Sequence, residues 1–434
     1  MSVLVVLFLT AVLALFSGVY NQGKFARYIG ILGLLVALCV SFSPELAFFN
    51  QYKSMFDFNE NAALFTKISL VVTLLIFFLG GFAFNNHRSH QSELCSLMLF
   101  SLIGAVILFS FTNLVTLFLG IEILSIPLYV MAGSNKTDLR SNEASIKYFL
   151  MGAFATGFLL FGIALIYGST GSFDVHVINT FSVANPKDLM FVMGIMLMLV
   201  AMAFKVSLAP FHMWSPDVYQ GAPSLITAFM ATVLKIAELV AFFKVINLAF
   251  AGSIKEWINI LGVLVIITLL LANAMGLAQT NAKRMLAYSS VSHAGYLGLI
   301  FFGANSLSVY NLAFYLFAYS LATVGVFMTL IWVEKLKRET SFEAYKGLAK
   351  TEPIAAVATA VSLLSMAGIP LTAGFVAKFN IFAQAMNGAA FLVLIAVLGS
   401  ALSIAYYLKL IISMFFHTET TFKSSEKVSI TYNI

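Results

Sequence analysis

The sequence predicts an all-α fold: a polytopic transmembrane helix bundle with two inverted five-helix repeats and two proline-broken helices. Three observations lead there. Of the 434 residues, 61% are hydrophobic and only 10% charged, and the mean hydropathy is +0.98. A soluble domain averages about 45–50% apolar and about 25% charged. Polar surface is too scarce to coat a globule of this size, so lipid must be the solvent for much of it. The apolar residues also gather into runs near the roughly 20 residues that cross about 30 Å of hydrocarbon. None of these runs alternates between apolar and polar residues, which excludes a β-barrel.

Thirteen such segments follow in order, at about 2–20, 27–45, 63–84, 94–111, 114–132, 147–168, 189–209, 224–248, 258–278, 285–304, 309–333, 354–384 and 389–415. The first, Ser2 to Tyr20, has no basic stretch ahead of it and no A-x-A-like site behind it. It reads as a retained span and not a cleaved signal. Basic residues orient the chain. With the N-terminus outside, the cytoplasmic loops hold Lys24, Arg27, Arg88, Lys136, Arg140, Lys147, Lys283, Arg284, Lys335, Lys337, Arg338, Lys346, Lys350, Lys423 and Lys427, whereas the outer loops hold only Lys53, Lys187, Lys255 and, at a helix end, Lys244. A miscounted central helix would scramble this asymmetry. The expected organisation is three N-terminal helices over 1–90, a first repeat of helices 4–8 over 91–250, an inverted second repeat of helices 9–13 over 251–416, and a polar tail over 417–434.

The formal net charge is +6. In a soluble chain that excess would raise nucleic acid as a partner. Here the cations sit mainly in loops, and no nucleic-acid partner is expected. Cys39 and Cys95 both lie in apolar runs and read as buried small hydrophobes, not as a disulfide or metal site. No His/Cys/Asp/Glu set has metal-ligand spacing. No Gly-rich phosphate loop or dinucleotide fingerprint is present.

Ionisable residues inside the spans carry the functional signal. They are Glu122 in GIEILSIPLYV, Lys205 in AMAFKVSLAPFHMW, Lys235 and Glu238 in ATVLKIAELVAFF, and Lys378 in AGIPLTAGFVAKFNIF. Each charge costs about 2.5–3.5 kcal/mol at a helix centre on insertion scales. A cost of that size implies a partner or a use. Pairing of Glu122 with Lys205 to knit helices is the bland reading, and buried pairs are weak stabilisers because desolvation offsets most of the attraction. A relay is the sharper one, since burial brings the charged and neutral forms of a lysine close in free energy. Glu238, three residues from Lys235, can also be only its local partner. Lys67 and Lys409, near span ends, read as snorkelling to the interface. His293 lies beside Ser289, Ser290 and Ser292, hydroxyls that could carry a water chain to an imidazole suited to proton transfer. His212, after Pro210, is a weaker candidate of the same kind.

Two helices carry a proline near a lysine: Pro210 after Lys205, and Pro370, flanked by Gly368 and Gly374, before Lys378. Interior proline breaks or kinks a helix, and unwound backbone at membrane depth is tolerated where it is buried in protein or lines a wet cavity. One broken helix is fourth in the block of spans 4–8, the other fourth in spans 9–13. An odd number of spans per block inverts the second block, the pattern of an inverted-repeat transporter with a midplane path. Lys205 and Lys378 are then expected to be equivalent residues of two half-channels.

The stretches AFKVSLAPFHMWSPDVYQGAP, SSVSHAGY and GIPLTAGFVAKF resemble the antiporter-like subunits of respiratory complex I (NADH–quinone oxidoreductase), which in turn resemble subunits of multisubunit sodium/proton antiporters. ASIKYFLMGAFATGFLLFGIALIYGSTG shares the likeness, which runs from about residue 60 to the C-terminus. The resemblance implies that Glu122 and Lys205 match the family's glutamate–lysine pair, Lys235 its central lysine, Lys378 its terminal lysine facing the outer half-channel, and His293 the histidine between the last two. It implies proton translocation coupled to quinone reduction elsewhere in the complex. It places no cofactor in this chain, and NAD, FMN, iron–sulfur clusters and quinone in partner subunits. The implied partners are the other membrane subunits of complex I and the lipid bilayer, in a bacterial inner membrane with the N-terminus periplasmic. The family usually carries one span more than the thirteen read here. Two other classes remain compatible with the residues: a sodium/proton antiporter subunit driven by ion gradients, and a membrane scaffold that pumps nothing.

Overall fold

The computed structural model describes residues 1–20, 23–43, 54–83 and 90–417, without the side chains of residues 24, 82 and 83. Basic residues 53, 88, 423 and 427, used above for orientation, and tail residues 418–434 lie outside the described residues.

The apolar runs become helices because, in lipid, a backbone must satisfy its own hydrogen bonds. They are α1 (Ser2–Val19), α2 (Ala26–Val40), α3 (Glu60–Ala83), α4 (Gln91–Ser110), α5 (Leu114–Ala132), α6 (Leu139–Thr170), α7 (Val175–Ala184), α8 (Leu189–Lys205), α9 (Trp214–Gly221), α10 (Ser224–Phe229), α11 (Lys235–Ala249), α12 (Ile254–Leu277), α13 (Ala282–Gly298), α14 (Ser308–Lys337), α15 (Leu348–Thr351), α16 (Pro353–Ala367) and α17 (Ala373–Phe415). A π-helical turn, Met230–Leu234, joins α10 to α11.

Among the described residues, nine helices are long and apolar enough to cross a membrane by length and composition. Thirteen segments were expected, and the difference has physical causes. Helices α8 and α16 fall short because each stops at a break in its span. Helix α17, 43 residues long, spans two expected segments across non-helical Ala389. Helix α13 carries too many hydroxyls for a lipid-facing helix and is buried along its length. Helix α2 is only 15 residues. Three helices lie outside the expected segments: α9, α15 and α7, whose N-cap Asp174 accepts from the His176 and Val177 amides.

Packing follows one plan twice. Helix α4 packs on α5 and α6 on α8; α12 packs on α13 and α14 on α16. The most interior elements are α10, the π turn and the first half of α11, which are buried without interruption from Ser224 to Phe242. Phenylalanines on α6 face outward: Phe149, Phe154, Phe158 and Phe161 are exposed. Cys95 is buried as expected, but Cys39 is exposed. An apolar neighbourhood identified residence in the membrane, and could not separate the lipid-facing side of α2 from its packed side.

Candidate functional site

Both proline-containing segments unwind where the sequence placed them. Helix α8 ends at Lys205, and residues 206–213 turn before α9 resumes the span. Orphan backbone groups at this inner break are claimed by protein. Trp214 Nε1 donates to Phe204 O at 3.1 Å, Thr268 Oγ1 accepts from Ala209 N at 2.8 Å, and Lys235 Nζ donates to Val206 O at 2.7 Å. The second break separates α16 from α17. Gly368 closes α16 in the left-handed region at φ 81°, with its N–H on the Leu364 and Ser365 carbonyls. Thr372 caps α17 by accepting from Phe375 N.

The expected equivalence of Lys205 and Lys378 does not hold in detail. Lys205 is the last residue of the half-helix before its break, whereas Lys378 lies in the half-helix after its own. In interaction, Lys378 corresponds instead to Lys235. Lys378 Nζ donates to Ala367 O, the last carbonyl of α16, at 2.9 Å, as Lys235 does to Val206 at the end of α8. Other lysines repeat the device. Lys244 donates to Phe109 O in the last turn of α4, Lys283 to Ala222 O at the end of α9, and Lys409 to Leu277 O at the end of α12. Helix C-termini leave carbonyls unpaired and carry the negative end of the helix dipole. In a bundle with so few carboxylates they are the natural seats for ammonium groups.

Lys205 sits differently. Its Nζ donates to Ser125 Oγ at 3.1 Å and Tyr129 OH at 3.3 Å. Tyr129 packs edge-on to Tyr148, which stacks on Trp214. The Glu122–Lys205 ion pair is not formed. Glu122 is half-buried and accepts from Thr156 Oγ1 at 2.7 Å. Glu122, Ser125 and Tyr129 are spaced i, i+3, i+7 along α5, on one stripe, so the carboxylate lies about one helical turn from the hydroxyl that holds the ammonium. Nor is a Lys235–Glu238 pair formed: Lys235 reaches back to the inner break, and Glu238, 2% exposed, has an unpartnered Oε1. Among the described residues, no carboxylate lies within ion-pair distance of Lys205, Lys235 or Lys378, each 3–4% exposed.

His293 is buried in a tyrosine cage. Its Nδ1 is 2.8 Å from Tyr315 OH and its Nε2 3.4 Å from Tyr407 OH, with the Tyr319 ring 4.6 Å away. A cavity of about 10 Å³, close to the space one water needs, is lined by His293, Tyr315, Tyr319, Ser365 and Gly374. It therefore opens from the imidazole onto the α16–α17 break. Lys378 Nζ also donates to Ser400 Oγ at 2.9 Å and sits 4.6 Å over the Tyr296 ring. On the other side, Tyr219 OH lies 3.5 Å from Ser290 Oγ, linking α9 to α13. His212 is buried within the inner break, and its Nδ1 has no partner among the described residues. No hydrogen bond joins it to Lys205, and it stands apart from the others.

Sequence reasoning missed Lys283, assigned above to a loop but buried at α9 with Glu334 Oε1 at 3.6 Å. It also missed a charged pocket of about 240 Å³ between α6 and α9. There Lys147 pairs with Glu143 at 2.7 Å and Asp217 at 2.9 Å, and Arg284 with Asp217 at 2.8 Å. Buried tyrosines and asparagine at helical spacing carry no sequence signal that separates them from core. No group of three His, Cys, Asp or Glu residues fit to hold a metal occurs among the described residues.

Comparison with known proteins is consistent throughout. The family described as "NADH:quinone oxidoreductase/Mrp antiporter, TM" matches residues 111–403. A relative from Cytophaga hutchinsonii, NADH-quinone oxidoreductase subunit N, is 42% identical over 390 residues, covering 89% of this chain and 84% of that protein. The subunit N of Flavobacterium psychrophilum is 36% identical over 436 residues, covering 100% of this chain and 95% of its own. Among solved structures, a chain of respiratory complex I from Thermus thermophilus with bound Aureothin superposes with a TM-score of 0.79 at 33% identity, covering 96% of this chain and 91% of that one.

Proposed function

The chain belongs to the NADH:quinone oxidoreductase/Mrp antiporter transmembrane family, and from that premise we propose how its buried groups conduct. It is a multi-pass, proton-translocating membrane subunit of NADH-quinone oxidoreductase, of the subunit N type, and its partners are the other membrane subunits of that complex. The family description also names an antiporter, and the relatives named subunit N, at 36–42% identity, favour the oxidoreductase subunit over that rival class.

The site residues are our assignment. Lys205, Lys235, His293 and Lys378 form the relay, with Glu122 acting on Lys205. One observation carries this: the three lysines are buried to within 4% exposure, yet each is held only by neutral carbonyls and hydroxyls. A buried ammonium that faces only partial charges keeps much of its desolvation cost, which brings its charged and neutral forms close in free energy. A lysine that alternates between charged and neutral needs acceptors that tolerate both. A proton enters from the cytoplasm near Lys205. Glu122, one turn away on α5, stabilises the ammonium when it approaches and releases it when it withdraws to Thr156. The charge passes to Lys235 and across α13 by His293 to Lys378, then out by the α16–α17 break. Tyr219–Ser290 and the His293 cavity are the steps that bridge the halves.

Residues 91–250 and 251–416 act as the two inverted repeats, a division that the duplicated packing of α4 on α5 and α12 on α13 supports. The chain lies in a bacterial inner membrane with its N-terminus outside, as its basic residues favour. NAD, FMN, iron–sulfur clusters and quinone are handled by partner subunits. The test is proton translocation per NADH oxidised in vesicles carrying Lys205→Ala or Lys378→Ala complexes, with assembled complex quantified. Both variants should lose pumping; normal pumping in both would sink the assignment.

A further inference from the structure

Asn273 is fully buried on α12, and the relay above does not use it. Its side chain joins α12, α13 and α17. Nδ2 donates to Leu269 O at 2.7 Å, one turn back along the helix. A carbonyl only accepts, so the amide nitrogen must face it, and this assigns the two ends of the amide. Oδ1 must then accept, and it receives Ser292 Oγ at 3.0 Å and Tyr406 OH at 3.2 Å. The remaining N–H points at Tyr296 OH, 3.4 Å away.

That assignment propagates. Tyr406 has spent its proton on Asn273, so toward Tyr407, whose ring packs against its own with centroids 4.5 Å apart, its hydroxyl can only accept. Tyr407 therefore receives no proton from Tyr406, and its hydroxyl is shared between Ser289 Oγ at 2.5 Å and His293 Nε2 at 3.4 Å. When Tyr407 accepts, a neutral His293 carries its proton at Nε2 and leaves Nδ1 to accept from Tyr315 OH at 2.8 Å. On the opposite side, Tyr296 accepts from Asn273, and the Lys378 ammonium sits 4.6 Å over its ring.

We propose that Asn273 is a positioning residue that sets the polarity of the hydroxyls beside His293 and Lys378, and through Tyr406 and Tyr407 biases which imidazole nitrogen carries the proton. An amide suits this because it keeps one donor end and one acceptor end at every working pH. The ionisable groups facing it are Tyr296 from α13 and Tyr406 from α17, with His293, Tyr407 and Lys378 one group further on. The inference rests on the relay reading.

The test uses the whole complex in inverted vesicles, reading protons translocated per NADH oxidised and the pH profile of turnover. Asn273→Asp keeps the shape but sets a carboxylate oxygen against Leu269 O and obliges Tyr296 to donate where it accepted, while Ser292 and Tyr406 still donate to the other oxygen. Turnover of assembled complex should fall about tenfold and its pH profile should move. Tyr406→Phe, which deletes a single hydroxyl, should give a smaller fall with the same displacement of the profile. If Asn273→Asp does not assemble, Tyr406→Phe decides alone. Wild-type rate and profile in the assembled variants overturn the proposal. Lys378→Ala is run alongside. If it pumps normally the relay itself fails, whereas loss of pumping there with unchanged Asn273→Asp and Tyr406→Phe complexes removes only the role of Asn273.

Discussion

The two breaks differ in what surrounds them. Between α8 and α9, Val206 to Ala209 are buried whereas Pro210 and Met213 are exposed, and side chains of Trp214, Thr268 and Lys235 take the freed backbone groups of the buried half. Between α16 and α17, Pro370, Leu371 and Ala373 are exposed, and Leu371 stands wholly clear of the protein. Unwound backbone at membrane depth needs either protein or water around it. The inner break has protein, so it can serve as a fixed point. The outer break, with a cavity leading from His293 to its edge, has the geometry of an opening. The same device, an ammonium on the last carbonyl of a half-helix, thus occurs once against buried backbone and once beside an exposed turn.

The largest effect should separate the two ammonium groups. Lys235→Ala leaves the Val206 carbonyl alone among buried residues, whereas Ala367 O keeps Ser400 Oγ at 3.2 Å after Lys378→Ala. Both should lose pumping, but only Lys235→Ala should also lower the amount of assembled complex; equal assembly in the two would break the comparison. Next comes Thr268→Val, which orphans the Ala209 N–H at a cost of about 1–3 kcal/mol and should lower the thermal midpoint of the complex. Ser365→Ala, which removes the acceptor for Gly374 N at the outer break, should shift it far less. Third, Gly368→Ala forces a left-handed residue to carry a Cβ, which also meets the Lys378 side chain at 2.9 Å. It should cost about 1–2 kcal/mol, while Ser207→Gly, at φ 64°, should be neutral or slightly stabilising in the same assay. The smallest effect belongs to Glu122→Gln, which keeps the Thr156 bond and loses the charge. Turnover should fall a few-fold with assembly intact, and an unchanged rate would remove Glu122 from the relay.

The sequence disclosed the residues of the candidate site more readily than their partnerships. Glu122, Lys205, Lys235, Glu238, His293 and Lys378 stand out because a charge in an apolar run is conspicuous wherever the chain folds. The pairings first suggested, Glu122 with Lys205 and Lys235 with Glu238, did not form, because an ammonium at a helix end finds a carbonyl or hydroxyl without needing a carboxylate. Asn273, Tyr296, Tyr406 and Tyr407 were invisible for the opposite reason: buried polar residues on helices of mixed composition look the same whether they conduct, position or merely pack. The π turn ahead of Lys235 likewise has no distinguishing letters in MATVL.

By itself, the sequence determined that this chain lives in lipid as helices and where two of those helices unwind. Hydropathy acts over a span-length window, and proline acts on its own turn, so both are local properties. Only the tertiary structure decided which acceptor each buried cation holds and how much of each break is buried. A lysine side chain reaches several ångströms across an interface between helices, and the acceptor it finds there belongs to a segment the local sequence does not name.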